Sequence, residues 1–266
     1  MTSVLDASNS EMKAAKQEDS ACVALTSFAS FVDSFPLQGE KLYKTVFDRH
    51  AEMIQTQKAR FAVANLEKIL TATFEVSAVS GFDRMSLRDL SRQTGMSMGA
   101  IYSCISKKED IALMVADIVR LSSTLTQQHA LSAPTFWGSL EQCIKYHLYA
   151  STLLQPWYFF LYFETRSLPQ AQQEASKQIE LDGINGFEAQ IQAGIDAGEF
   201  YVENPRSVAN AIVVLLEDWY LKPWKTKSLT INQDGRYELN IEDIENEINK
   251  YNQSIIDLVT KLLAKI

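Results

Sequence analysis

Residues 86–108, SLRDLSRQTGMSMGAIYSCISKK, constrain the fold more than any other stretch of this chain. They read as two short helices joined by a tight turn at Gly95. Ser86 stands as the first N-cap, and Asp89 three residues on makes it close to a capping box. Leu87 and Leu90 fall on the inner face. Ser97 is the second N-cap, and Met98, Gly99 and Ala100 open a first turn whose small residues let another surface approach the backbone. Ile101 and Ile105, four apart, point inward, with Tyr102 beside them and Lys107 and Lys108 directly after. This is the layout of a helix-turn-helix, in which the second helix enters the major groove of DNA and its first residues reach base edges.

The flanks extend the pattern. Residues 68–82, KILTATFEVSAVSGF, form an amphipathic helix ending in Gly-Phe, and residues 109–121, EDIALMVADIVRL, form another helix straight after the motif. The order helix, Gly-Phe, Ser-Leu-Arg-Asp-Leu, Gly-Met-Ser-x-Gly-x-Ile-Tyr, Lys-Lys-Glu-Asp-Ile resembles the N-terminal domain of TetR-family transcriptional repressors, over about residues 60–121. The resemblance implies an all-α chain with a helix-turn-helix head and a larger helical body for ligand binding and dimerisation. It implies a homodimer on a near-palindromic double-stranded DNA operator, and a repressor released by a small apolar ligand. Ser86 and Arg88 would meet phosphates, Ser97, Met98, Gly99 and Ala100 would open the recognition helix, and Tyr102 and Lys108 match family phosphate contacts, with Lys107 adjoining. Met98, Ser103 and Cys104 depart from the family pattern, and the recognition helix has no Arg, Lys, Asn or Gln, the side chains that read bases by bidentate bonds. Discrimination would rest on Ser97, Ser103, thymine methyls or DNA shape. A helical interaction protein of this fold that has lost DNA binding stays open as the alternative.

Charge agrees with a modular DNA binder. The whole chain carries −8, yet residues 58–111 hold eight Lys/Arg against six Asp/Glu, a net of +2, and the remaining 17 and 27 give −10. Only the face that meets DNA needs to be positive. Three unpaired-looking cysteines (Cys22, Cys104, Cys143) and three scattered histidines argue for free thiols in a reducing compartment and against a metal site. Cys104 inside the recognition helix is a candidate redox sensor. The N-terminal stretch lacks an apolar signal core, and the most apolar segment, 144–163, is broken by Lys145, His147, Gln155 and Pro156. A cytoplasmic protein with no membrane partner is expected. With no nucleophile elbow, phosphate loop or metal-spaced cluster, neither enzymatic activity nor a cofactor is expected.

Three regions follow. Residues 1–57 form an N-terminal extension, disordered over 1–20 and with a helix at about 40–57. Residues 58–121 form the DNA-binding domain, and 122–266 the ligand-binding and dimerisation domain. In the last region Asn204-Pro205 starts a helix, Asp234-Gly235 marks a turn in a loop over 226–240, and Ile241, Ile244, Ile248, Tyr251, Ile255, Leu258 and Leu262 make a 3,4-spaced seam in the final helix. Ile244, Ile248, Tyr251, Ile255, Leu258 and Leu262 of that seam are the expected dimer interface, and the same stripe could instead face the core of its own chain. WYFFLYF at 157–163 puts six aromatics in seven positions, so that Trp157, Phe160, Tyr162 and Phe163, with Tyr146, Phe187, Trp219 and Arg166, are the expected ligand pocket. The runs YFETRSLPQ and GIDAGEFYVENP further resemble the TetR subgroup responsive to fatty acyl-CoA or related lipids, which implies an acyl-CoA or fatty acid as ligand.

Overall fold

A computed structural model describes residues 25, 27–55, 58–131, 133–225 and 241–264, and among these no strand occurs. The N-terminal 24 residues, including Cys22, and the loop over 226–240 with its Asp234-Gly235 turn lie outside the described residues. Eleven helices follow one another in the described chain: α1 (Phe28–Ser34), α2 (Gly39–Arg49), α3 (Ala59–Ser80), α4 (Leu87–Thr94), α5 (Met98–Tyr102), α6 (Lys108–Ala130), α7 (Phe136–Leu153), α8 (Gln155–Phe163), α9 (Gln170–Asp196), α10 (Pro205–Leu221) and α11 (Ile241–Leu263).

The caps explain most of these boundaries. Gly81 ends α3 at φ 79°, a left-handed conformation that a Cβ would oppose. Thr135 caps α7 and Asn204 caps α10, each accepting a backbone N–H from three residues on. Pro156 sits in the first turn of α8, where its missing N–H costs no hydrogen bond. The buried carboxylate of Asp110 accepts the N–H groups of Ser106 and Lys107 at 2.8 and 3.0 Å and caps α6.

The extension holds two helices, α1 and α2. α1 buries Phe28 and Phe31 against Tyr149 and Tyr146 of α7, with ring centroids 5.1 and 5.0 Å apart. α2 stops at Arg49 instead of running to residue 57, and packs along α3. A helix continuous with α3 could not fold back on it. The reversal is pinned by Arg49, whose guanidinium donates twice to Asp117 of α6 at 2.5 and 2.7 Å, and by Gln55, whose N–H donates to the Ser103 carbonyl at 2.9 Å.

The aromatic helix α8 joins the first helices to the rest. Trp157 stacks edge-on against Phe74 of α3 at 5.3 Å, and Phe160 meets Phe82 at 4.9 Å and Phe74 at 5.8 Å. Phe82 is fully buried, and its N–H donates to the Glu164 carboxylate at 2.7 Å. On the other side α6, α7, α9 and α10 pack together, and α11 covers α7, α10 and α1.

The 3,4 seam of α11 faces its own chain. Ile244, Ile248 and Ile255 are at most 1% exposed, and the Tyr251 hydroxyl donates to the Leu215 carbonyl of α10 at 2.7 Å. Of the expected interface residues only Leu258 and Leu262 stay open, each 48% exposed. This corrects the assignment of Ile244, Ile248 and Ile255 to a partner: α7, α10 and α1 already cover them, and a stripe of that spacing packs equally well on a core.

Two stability outcomes follow from this packing. Phe82→Ala should cost about 3–5 kcal/mol in urea denaturation, since it removes a large side chain from the α3–α8 contact; a loss under about 1 kcal/mol would contradict that role. Ile248→Asp should unfold the monomeric chain, because it buries an unpaired carboxylate. A folded Ile248→Asp protein by circular dichroism would show that the seam is not core.

Candidate DNA-binding surface and body cavity

The α4–turn–α5 unit is built by short polar side chains. Ser86 and Asp89 complete a capping box on α4: the Asp89 carboxylate accepts the Ser86 N–H and hydroxyl at 2.9 and 2.7 Å, which holds its pKa low. Gly95 takes the left-handed conformation at φ 69° that reverses the chain. The Ser91 hydroxyl donates to the Met96 carbonyl at 2.6 Å across this turn. Ser97 caps α5 by accepting the Ala100 N–H at 3.2 Å. α5 has five residues and ends at Tyr102, so Ile105 packs from beyond the helix.

The expected DNA contacts of this unit are not equally free. Ser86, Arg88, Ser97, Gly99, Tyr102 and Lys107 are exposed, while Met98, Ala100 and Ser103 are half-buried. The Ser103 hydroxyl donates to the Ala100 carbonyl at 2.7 Å, so its proton is used inside the helix. Lys108 departs furthest from expectation. Its ammonium donates to the carbonyls of Asp83, Phe82 and Met85 at 2.6, 3.1 and 3.3 Å and lies 5.3 Å over the Phe82 ring. It ties the α3–α4 turn together, which corrects its assignment as a side-chain phosphate contact. Cys104 is fully buried, which removes the ready access that a redox sensor needs.

A cavity of ≈ 250 Å³ lies among α6, α7, α8, α9 and α10. Of the expected pocket residues, Tyr162, Arg166 and Phe187 line it. The other five do not, because each is committed elsewhere. Tyr146 packs on Phe31 and Phe35, Trp157 and Phe160 on α3 and Phe82, and Phe163 on Phe159 at 4.5 Å. Trp219 stacks on Tyr251 at 5.1 Å and donates its indole N–H to Thr152 at 2.9 Å.

The walls that sequence reading missed carry polar chemistry. Cys143 and His147 of α7, Tyr158 of α8, Glu180 and Gly183 of α9, and Glu217 and Tyr220 of α10 all face the cavity. Their shared signal is helical spacing: Cys143 and His147 are four apart, and Val213, Leu216, Glu217 and Tyr220 form one stripe. Burial pushes His147 down to about 4, keeping it neutral, and pushes the Cys143 thiol and the Tyr158 phenol up to about 12. Burial, reinforced by Glu180, pushes Glu217 up to about 7. Rings enclose one end: Tyr158 lies 4.9 Å from Tyr220 and 5.5 Å from His147. Among the described residues no group of three or more His, Cys, Asp or Glu could hold a metal ion, and no helix is long and apolar enough to cross a membrane.

The neutral His147 makes the fold acid-labile. The unfolded chain takes up a proton below pH 6.5, but the folded site refuses it until about 4. This contribution is therefore intact above about pH 6.5 and falls by about 3 kcal/mol as pH drops to 4. Burial of His50 and His129 acts in the same direction, whereas Glu217, protonated more readily in the fold, loses stability as pH rises from 4.5 through 7. Urea titrations should therefore show His147→Gln gaining on the parent protein toward pH 4, and a constant gap would contradict the buried neutral imidazole.

No family model and no curated protein sequence matches the chain, so its likeness to known proteins rests on structure. It superposes on a TetR-family regulatory protein from Rhodococcus RHA1 with TM-score 0.58 at 19% identity, covering 75% of this chain and 97% of the other. PfmR, a TetR-family transcriptional regulator from Thermus thermophilus, gives 0.58 at 16% identity over 71% and 97%. FadR from Bacillus subtilis, a transcriptional regulator solved with stearoyl-CoA, gives 0.55 at 16% identity over 74% and 99%. With its α4–α5 motif and helical body, the chain has the fold of TetR-family regulators.

Proposed function

We propose that this protein is a sequence-specific DNA-binding transcriptional regulator, a repressor that leaves its operator when a small apolar ligand enters the body cavity. The observation that carries the reading is the exposure of α5 and its cap, with Ser97, Gly99 and, at the helix end, Tyr102 open, and with Arg88 and Lys107 exposed before and after them in the chain. Gly99 leaves the backbone bare, Arg88 and Lys107 supply charge for phosphates, and Tyr102 supplies a hydroxyl. Because α5 has no bidentate base reader, each half-site contributes modest discrimination, and two-fold symmetry restores specificity by reading a near-palindrome twice. The partner would dock on α10 and α11, where Val214 is 54% exposed and Leu258 and Leu262 are 48% exposed.

The same absence of Arg, Lys, Asn and Gln from α5 supports a second reading, a helical interaction protein that has lost DNA binding. Selection from random duplexes with purified protein separates the two. The regulator reading predicts enrichment of a near-palindromic site; no enrichment, with only salt-sensitive weak binding, favours the second.

Two further outcomes belong to this reading. Lys107→Ala should weaken binding to all duplexes alike and lower the salt slope by about 1 per subunit, whereas Lys108→Ala should mainly destabilise the fold, by about 1–3 kcal/mol. A Lys108→Ala protein of unchanged stability and flattened salt dependence would reverse the two roles. In sedimentation, Leu258→Lys with Leu262→Lys should turn a dimer into a folded monomer. A wild-type monomer, or a dimer that survives both changes, would sink this interface.

A further inference from the structure

The charged groups of the cavity are sorted by depth. Arg166, Lys177 and Glu180 line it as exposed residues, so its rim carries both signs, and Lys177 is already paired with Glu174 at 3.0 Å. Farther in, Glu217 is the charged side chain on the wall that is not exposed. His147 adds an independent mark. Its Nε2 has almost no accessible surface and no hydrogen-bond partner, although the residue lines the cavity. Buried polar atoms are ordinarily satisfied, and this unpaired nitrogen adds to the polar character of the wall.

A hydrocarbon chain would not answer the carboxyl. It would cover Glu217 without replacing the water it loses, which is unfavourable. A ligand carboxylate in the interior would face Glu217 and have no interior cation to meet. A protonated amine suits the same wall. It brings N–H donors for the Glu217 carboxylate, and the rest of the ligand would lie on Val213, Leu216 and Phe187. Tyr158 and Tyr220 close that end with aromatic surface, which tolerates a cation. Gly183 marks the open space: a Cβ built there meets no atom within 4 Å.

We propose that the cavity binds a compact amphiphilic amine, its protonated nitrogen held at Glu217 and its apolar part along α9 and α10. This rests on the reading of the cavity as the ligand site and names the ligand's class. The titratable and charged groups that share the cavity wall with Glu217 are Glu180 and Lys177 of α9, Arg166 at the rim, Cys143 and His147 of α7, Tyr158 and Tyr162 of α8, and Tyr220 of α10. Of these, His147 stays neutral and Tyr158 and Tyr220 keep their protons near neutrality, so Glu217 governs amine binding there. Amine affinity should climb about tenfold from pH 6 to pH 8 as Glu217 loses its proton.

The test is calorimetric and thermal-shift titration of the full-length protein with octylamine, 1-octanol, octanoate and octanoyl-CoA, repeated with Glu217→Gln and Gly183→Leu. Octylamine should bind at least about tenfold tighter than octanol or octanoate. Glu217→Gln should erase both that preference and its pH dependence while leaving the circular dichroism unchanged. Gly183→Leu, whose Cβ meets no atom within 4 Å, puts an apolar side chain on the cavity wall and should abolish binding of every probe. If octanoate or octanoyl-CoA binds tightest and Gly183→Leu abolishes it, the amine is wrong and the cavity reading stands. If the amine preference survives in Glu217→Gln, the assignment of its nitrogen is overturned. If no probe binds, or if binding persists in Gly183→Leu, the cavity reading falls together with the amine.

Discussion

Everything that α4 and α5 can do depends on the packing around Phe82. This one side chain, fully buried at the end of α3, meets Phe160 of α8 and lies under the Lys108 ammonium, while its N–H is held by Glu164. Four elements therefore converge on one turn. Lys108 bonds three carbonyls of that turn from the start of α6, so α6 cannot shift without disturbing the end of α3. α6 in turn carries Val119, Ser123, Thr126 and Gln127 into the cavity wall. One helix thus connects the proposed DNA surface to the proposed ligand site, and packed interfaces of this kind respond by discrete shifts.

The extension adds a second tie. α1 is buried on α7 and reaches α11, where the Phe28 N–H donates to Glu245 at 3.0 Å. α2 lies along α3 and holds α6 through Arg49 and Asp117. The pair is partly exposed, and its direct value is modest. Its effect is geometric: the same short segment touches α3, α6, α7, α11 and the end of α5. A shift of α3 relative to α7 would have to carry α1 and α2 with it.

Local order was legible in the sequence wherever one residue fixes a boundary. Ser86 with Asp89, Gly95, Ser97, Asn204 with Pro205 and the Gly81-Phe82 end of α3 each mark a boundary by their own chemistry. What the sequence left open was which partner each apolar stripe would choose. The 157–163 aromatics looked like a pocket because aromatics line pockets as readily as they fill joints, and only the placement of α3 decides between the two. The α11 seam looked like a dimer interface for the same reason. Lys108 was assigned to phosphate because its position fits, but carbonyls brought close by the Gly81 turn reach it first. The cavity walls were invisible because Cys143, His147, Glu180, Gly183 and Glu217 come from three helices distant in the chain, and no local pattern joins them.

The central claim is that the cavity and the DNA surface are coupled through α6 and the Phe82 contact. The most direct measurement is the DNA affinity of the full-length protein, by fluorescence anisotropy on its selected duplex, with and without saturating octylamine. It should be repeated with Phe160→Leu, which loosens the Phe82 contact without touching the cavity wall. Coupling predicts that the ligand weakens DNA binding by about 5- to 150-fold and that Phe160→Leu reduces the ratio while the ligand still binds. A cavity ligand that saturates the protein and leaves DNA affinity unchanged would contradict the account.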